Sequence, residues 1–230
     1  MFPGGSAVNC NAGPFAALQA RFTFTNAGCG AANVLRISQF AVNGPSTTTS
    51  GIDLRLQYNW PQFVGGSLTA GLDATYLLDY KRGAFTLNGA PNIVFAPPED
   101  RAGLHDLVVA FFSYPQLKGN IFAGYSHGDL TVRLQTRYTE GTSPAAGTPA
   151  TRWVVDASGN YVQQPVGKTA DFWQHDFIVR LVLPWNTDLT ASVQNIANTD
   201  PPDAPSQYNY DYTKGNPLGR VYELDFKKRF

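Results

Sequence analysis

Gly219–Phe230 reads GRVYELDFKKRF, and it alternates. Tyr222, Leu224, Phe226 and Phe230 fall on one side of the alternation, interrupted by Lys228. Glu223, Asp225, Lys227 and Arg229 fall on the other, where Val221 is the apolar exception. Successive side chains of a strand point to opposite faces, so a period of two predicts a strand with one apolar and one polar face. The stretch ends on an aromatic residue. Chain ends fray in water, whereas a strand facing lipid gains from an aromatic at the edge of the hydrocarbon.

The pattern recurs upstream. Ile52, Leu54, Leu56, Tyr58 and Trp60 alternate with Asp53, Arg55, Gln57 and Asn59. Residues 67–80 repeat it, with Leu68, Leu72, Tyr76, Leu78 and Tyr80 opposite Ser67, Thr69, Asp73 and Thr75. Further strands are expected over 116–126, 129–139, 171–183 and 188–196. The links between them alternate too. Short ones at 61–66, 127–128 and 184–187 are interleaved with long ones at 81–115, 140–170 and 198–216. The long links hold turn-forming runs such as NGAPN, APPEDR and DPPDAP. They are expected to be irregular, apart from a short helix or strand extension over 106–114. One tidy rim and one elaborate rim are what a bacterial outer-membrane barrel has, with short periplasmic turns and long extracellular loops. Sandwiches mostly turn tightly at both ends. The expected fold is therefore all-β: an antiparallel up-and-down meander of about seven or eight strands, a partial transmembrane β-barrel. Its last strand would descend to the periplasmic rim beside the strand at 188–196.

Composition agrees. No run approaches the roughly 20 apolar residues of a membrane helix. Barrel strands alternate, so they average to a neutral hydropathy, and the mean hydropathy is −0.20. Aromatics make up 13% of the chain, and 38 residues are Gly or Pro (22 and 16), which favours strands and turns. Trp60, Tyr80, Tyr125, Tyr138 and Trp173 stand toward strand ends, where barrels carry aromatic girdles. Asp73, Arg133, Arg137, Asp176, Arg180, Glu223 and Asp225 recur on the polar faces, where a wet interior would spare them burial. Seventeen basic residues balance seventeen acidic ones with no basic stripe, so no nucleic-acid partner is expected.

The third long link and the terminal strand resemble the end of a TonB-dependent outer-membrane receptor. The resemblance rests on VQNIANTDPPDAP and YNYDYTKGNPLGRVYELDFKKRF, through Asn195, Ile196, Asn198, Pro201, Pro202, Tyr210, Asp211, Gly219, Arg220, Tyr222 and Phe230. TTSGIDLRLQY at 48–58 is similar to a strand of the same family. The resemblance covers residues 33–230. It implies a barrel of about 22 strands around an N-terminal plug, importing a scarce nutrient such as a siderophore, cobalamin or saccharide with energy passed on by TonB. This chain departs from the pattern. MFPGGSAVNC lacks the charged and apolar regions of a secretory signal, and no TonB box or plug is recognisable. The expectation is thus the C-terminal strands of such a receptor in the outer membrane, touching TonB only through a missing N-terminal part. Its imported ligand is unknown. Residues 1–32 would be an extracellular-loop remnant. Cys10 and Cys29 lie there, and could form a disulfide in an oxidising compartment or be two unrelated thiols. Gly219, Tyr222, Leu224, Phe226 and Phe230 also resemble the signal read by the outer-membrane assembly machinery, which would bind the open strand edge.

No catalytic residues, metal ligands or cofactor are expected. His105, His127 and His175 fall in a loop, a turn and a strand without ligand spacing, and no phosphate-binding or nucleophile-elbow motif occurs. Asp129 with Asp188, and Glu99 with Asp100, read as solvated charges. The PEDR and DPPD loops are candidates to touch a ligand at the outer rim. Two other readings stay open: a self-contained small barrel with a structural or adhesive role, and a soluble β-sandwich binding module.

Overall fold

A computed structural model describes residues 21–25, 31–39, 43–87, 90–107, 111–148, 151–204 and 209–229. Cys10, Cys29 and Phe230 lie outside the described residues, as does most of the segment 1–32. Among the described residues strands account for 62% and helix for 1%, so the fold is all-β.

The chain divides into two compact units, Met1–Thr48 with Tyr80–Asp100 and Thr49–Asp79 with Arg101–Phe230. In the first, Phe22–Phe24 pairs antiparallel with Val34–Ile37, and Phe85–Leu87 with Ala90–Ala96. Lys81 and Arg82 pair with Asp100 and Glu99, and an Arg82–Glu99 ion pair of 2.9 Å reinforces that ladder. The PEDR carboxylates thus have local partners.

The second unit holds all or most of seven long strands, the first two of which have their outer ends in the first unit: Thr47–Phe63 (β1), Gly66–Arg82 (β2), Leu117–His127 (β3), Leu130–Thr139 (β4), Phe172–Leu183 (β5), Thr187–Gln194 (β6) and Val221–Lys228 (β7). Each lies beside its sequence neighbour, so the sheet is a meander running from β1 to β7. Short turns join β1–β2, β3–β4 and β5–β6, as expected. In the first, Val64 and Gly65 both have positive φ, 46° and 77°. That backbone matches the twist of two-residue hairpins, and Gly65 adopts it without strain. Two hydrogen bonds seat this turn against β3, from the Tyr125 hydroxyl to the Val64 carbonyl (2.8 Å) and from His127 Nδ1 to the Gly65 carbonyl (2.8 Å).

Register carries the strand alternation across the sheet. One row runs Leu68–Tyr125–Val132–Val179–Ala191–Leu224, and the opposite face carries Ser67–Ser126–Thr131–Arg180–Thr190–Asp225. A slip of one residue at any ladder would exchange these faces, so the pattern specifies the register. The expected last pairing holds: Phe226 faces Leu189, and Tyr222 faces Val193.

Two expectations are corrected and one open choice is narrowed. The first strand begins at Thr47 rather than Ile52. The long links are not simply irregular, since Leu104–Asp106, Phe112–Ser113 and the hairpin Thr151–Val155 with Tyr161–Pro165 form small ladders within them. No helix is found among the described residues of 106–114. Short polar links satisfy backbone groups most readily by pairing with each other, and that pairing leaves no hydrophobic period to read.

The polar face holds an exception that alternation conceals. Phe122 sits there, 9% exposed, opposite Gly71 and under the Arg133 guanidinium, whose carbon lies 4.2 Å from the ring centroid. A Cβ on Gly71 would stand 2.5 Å from Phe122 Cζ and 2.9 Å from the Leu56 carbonyl oxygen. Gly71→Ala is therefore expected to cost about 1–3 kcal/mol through overpacking, read as a lowered urea midpoint of the refolded protein. Combining it with Phe122→Ala should recover part of that loss if the ring is the obstacle. An unchanged midpoint for Gly71→Ala would refute the packing.

Candidate functional site

The apolar face of the sheet is bare. Leu54, Leu56, Ile121, Leu134, Leu224 and Phe226 are all exposed, Leu224 at 72%. A soluble sheet buries such a face beneath a second layer. Among the described residues most of the buried side chains lie instead in the long connections, within 101–116, 140–172 and 195–220, with Phe122, Asp176 and Thr187 the exceptions on the strands.

That loop core is polar. His105, Thr142 and Asp211 are fully buried, and Leu107, Phe112, Ala145, Phe172 and Ala204 are the buried apolar residues at and between the strand ends. Lys214 Nζ lies 3.5 Å from Asp211 Oδ2, with both side chains at 0% exposure. The same ammonium donates to Thr169 Oγ1 at 2.6 Å. Thr169 Oγ1 also accepts the Thr142 backbone N–H at 2.9 Å. Ser113 Oγ donates to Asp211 Oδ2 at 3.2 Å, while Thr213 gives its backbone N–H (3.0 Å) and hydroxyl (2.5 Å) to Asp211 Oδ1. All three long connections thereby share one network. Buried charges persist only when paired and hydrogen-bonded, and this pair is both.

His105 completes the cluster. Its Nδ1 lies 3.1 Å from the Thr142 carbonyl oxygen, so in the neutral ring Nδ1–H donates there and Nε2 is left as an acceptor. Among the described residues Nε2 is buried without a hydrogen-bond partner. Burial holds the imidazole pKa below its usual 6.5; the hydrogen bond to Thr142 and the charges of Asp211 and Asp106 oppose the shift, and Lys214 adds to it. Opened loops therefore take up the proton at a higher pH than closed loops do, so closure weakens as pH falls below 6.5. Hydrogen exchange at the Ala145 amide, which donates to the His105 carbonyl at 2.8 Å, is expected to speed up between pH 7 and pH 5 after correction for intrinsic rates. His105→Leu should flatten that profile, and an unchanged slope would refute the assignment.

The carboxylate of Asp171 anchors the same region from the start of β5. It accepts the Gly141 N–H at 2.7 Å and the Tyr138 hydroxyl at 2.9 Å, and the Gly141 bond chiefly holds its pKa below the usual value.

Four of the residues that carry the resemblance, Asn195, Asn198, Gly219 and Arg220, join the end of β6 to the start of β7. Asn195, 4% exposed, exchanges hydrogen bonds with Thr199 and donates its backbone N–H to Asp176 Oδ1 at 2.9 Å. Asn198 Oδ1 accepts the Arg220 N–H at 2.9 Å. Gly219 has φ +67°, and a Cβ there would lie 2.6 Å from Asn198 Oδ1. This clasp brings the end of β6 to the start of β7. Of the expected assembly signal, Tyr222, Leu224 and Phe226 lie on the apolar face of β7, an edge strand, while Gly219 belongs to the clasp.

The expected girdle residues divide by rim. Trp60 and Tyr125 lie toward the short turns. Tyr138 and Trp173 are cross-strand partners near the long connections, with ring centroids 4.5 Å apart. Tyr80 falls in the first unit, near the end of β2. On the polar face, Arg55 pairs with Asp73 (3.3 Å), Arg137 with Asp176 (2.7 Å) and Arg180 with Asp188 (3.0 Å). Arg133, Glu223 and Asp225 share that face. In the DPPD loop, Asp203 forms an isolated bridge with Tyr210. His175 lies on the apolar face, its Nδ1 2.9 Å from Thr136 Oγ1. Among the described residues, no three His, Cys, Asp or Glu side chains gather to hold a metal ion.

Sequence reasoning missed the Lys214–Asp211–His105 network. Its members are 109 positions apart in the chain (105 to 214), and no periodicity links them. Comparison with protein-family models, with curated proteins and with solved structures returns no match.

Proposed function

We propose that this chain forms the C-terminal part of the wall of a TonB-dependent outer-membrane receptor, and that it helps import a scarce nutrient. The observation that carries the reading is the seven-strand apolar face left exposed while the opposite face holds ion pairs. Large exposed apolar surface marks a contact with lipid or a partner. A sheet that is apolar outward and polar inward fits a bilayer around a wet lumen. Strand length agrees: the eleven residues of β3 extend about 36 Å at ~3.3 Å each. At a barrel tilt of about 40° they rise roughly 28 Å, close to the hydrocarbon thickness. The loop core belongs on the outer rim, where long loops are found. Energy from TonB would reach the wall through the plug of such a receptor. The edge of β7 would be the part the assembly machinery reads.

The self-contained small barrel is the weaker reading. Seven antiparallel strands give β1 and β7 the same direction, so joining them would require a parallel seam. Among the described residues of the second unit, nothing forms the second layer that a β-sandwich would need over the apolar face.

The test is a polarity-sensitive fluorophore placed singly at Leu134 and at Gln135 after refolding into phospholipid vesicles. Brominated lipid is expected to quench the first and leave the second to an aqueous quencher. Equal aqueous quenching at both positions, or a cooperatively folded monomer without detergent or lipid, would overturn the proposal.

A further inference from the structure

We infer that the polar face carries a binding site for a hydroxylated organic anion of the sugar-acid class, anchored by Arg137. This rests on the reading of that face as the wall of a passage, and it names the chemistry the passage favours. A cavity of about 480 Å³ opens beneath the third long connection, lined by Arg137, Gln174, Gln194, Tyr210, Tyr212 and Asn216 among others. That volume is within the range of small-molecule sites.

The anchor is preset. Asp176, with 8% of its side chain exposed, accepts Arg137 on Oδ2, and it accepts both Gln174 Nε2 (2.9 Å) and the Asn195 backbone N–H (2.9 Å) on Oδ1. The carboxylate is thus supplied with donors from three residues and fixes the guanidinium in place. Arg137 keeps 47% of its side chain exposed. Its bond to Asp176 uses one of the five N–H donors of a guanidinium. The remaining donors form a planar fork suited to a carboxylate.

The surroundings narrow the ligand. Among the described residues no Asp or Glu lines this cavity, which disfavours a cation. Three amide side chains can each give and accept hydrogen bonds, and two tyrosines contribute aromatic rings to the lining. Lys214 also lines the cavity, but its ammonium is buried against Asp211, so Arg137 is the exposed cation; amides and aromatic rings around its fork match a sugar ring that bears a carboxylate. Arg137 and Gln194 also line the adjoining cavity of about 380 Å³ farther along the sheet, where Glu223 and Asp225 stand. An acidic ligand would be held at the Arg137 end and repelled from the acidic end, which orients it.

Isothermal titration of the whole chain, folded in detergent micelles, tests this with trigalacturonate as probe and galactotriose as the uncharged control. Trigalacturonate is expected to bind at least about tenfold more tightly, the scale of one charge-assisted hydrogen-bond pair. Arg137→Gln should remove that preference. Because Arg137 also supports Asp176, Gln194→Ala on an exposed strand position serves as the second variant; it should weaken binding several-fold while keeping the preference for the acid. Equal affinity for the two probes, or no binding of either, overturns the assignment. Absent binding with Leu134 in lipid rejects the ligand alone, whereas Leu134 in water rejects the passage on which it rests.

Discussion

Leu134→Lys is expected to destabilise the protein in a phospholipid bilayer by about 2–4 kcal/mol, the cost of a lysine on the lipid side near the midplane. Leu134 is central in β4 and 48% exposed, and its neighbours across both ladders are Ala123 and Phe177 on the same apolar face. A lysine there has no partner and lies far from either rim. In water the same change would be nearly neutral, because an exposed leucine loses little to an exposed lysine. The size of the effect therefore reads the solvent of that face. Leu181 is a useful second site. It pairs with Leu130 and Leu189 close to the short turns, so its cost should fall toward ~0–1 kcal/mol as the ammonium reaches the interface. Thr190→Lys on the polar face, opposite Asp225, should shift stability by less than about 0.5 kcal/mol. Urea unfolding from vesicles measures all three, and equal values at Leu134 and Thr190 would contradict the facing.

Lys214→Ala should cost about 3–5 kcal/mol in the stability of the loop core, the range for removing one member of a buried ion pair. The substitution strands Asp211 at 0% exposure and takes a donor from Thr169. Asp211 keeps Ser113 and Thr213, which places the expectation toward the lower end of that range. Burial holds the Lys214 pKa below the usual 10.5 despite the attraction of Asp211, so the ion is itself costly to bury. The double replacement Asp211→Leu with Lys214→Met should therefore be milder than Lys214→Ala alone. Proteolysis of the connection at 151–165, measured against denaturant, reports opening of the loops separately from the strands. A double variant as weak as the single would refute the pairing. The site depends on the same residue, because Lys214 secures the segment from Tyr210 to Asn216 that roofs the Arg137 cavity.

The alternation of side chains was enough to predict β5, β6 and β7, the three short turns and the two-faced sheet. Period two is a local property, and each residue's side of the sheet follows from its neighbour's. It also placed Arg137 and Asp176 on one face, though not in contact. The Asn195, Asn198 and Gly219 positions were legible as a pattern, while their purpose was not: only the fold shows Asn198 capping Arg220 across the connection. Phe122 broke the pattern, since a ring can occupy a polar face only where the opposite strand offers a glycine, and that partner is 51 residues away at Gly71. The long connections gave the least. Their order comes from Lys214, Asp211, Thr169, Thr142 and His105 converging from separate links, which is a matter of where the chain returns rather than of any local preference. The sequence by itself determined a meander with one face for apolar and one for polar surroundings. The tertiary structure alone decided that the apolar face stays uncovered and that the buried core sits in the loops, because burial depends on what packs over a surface, and no strand encodes its own cover.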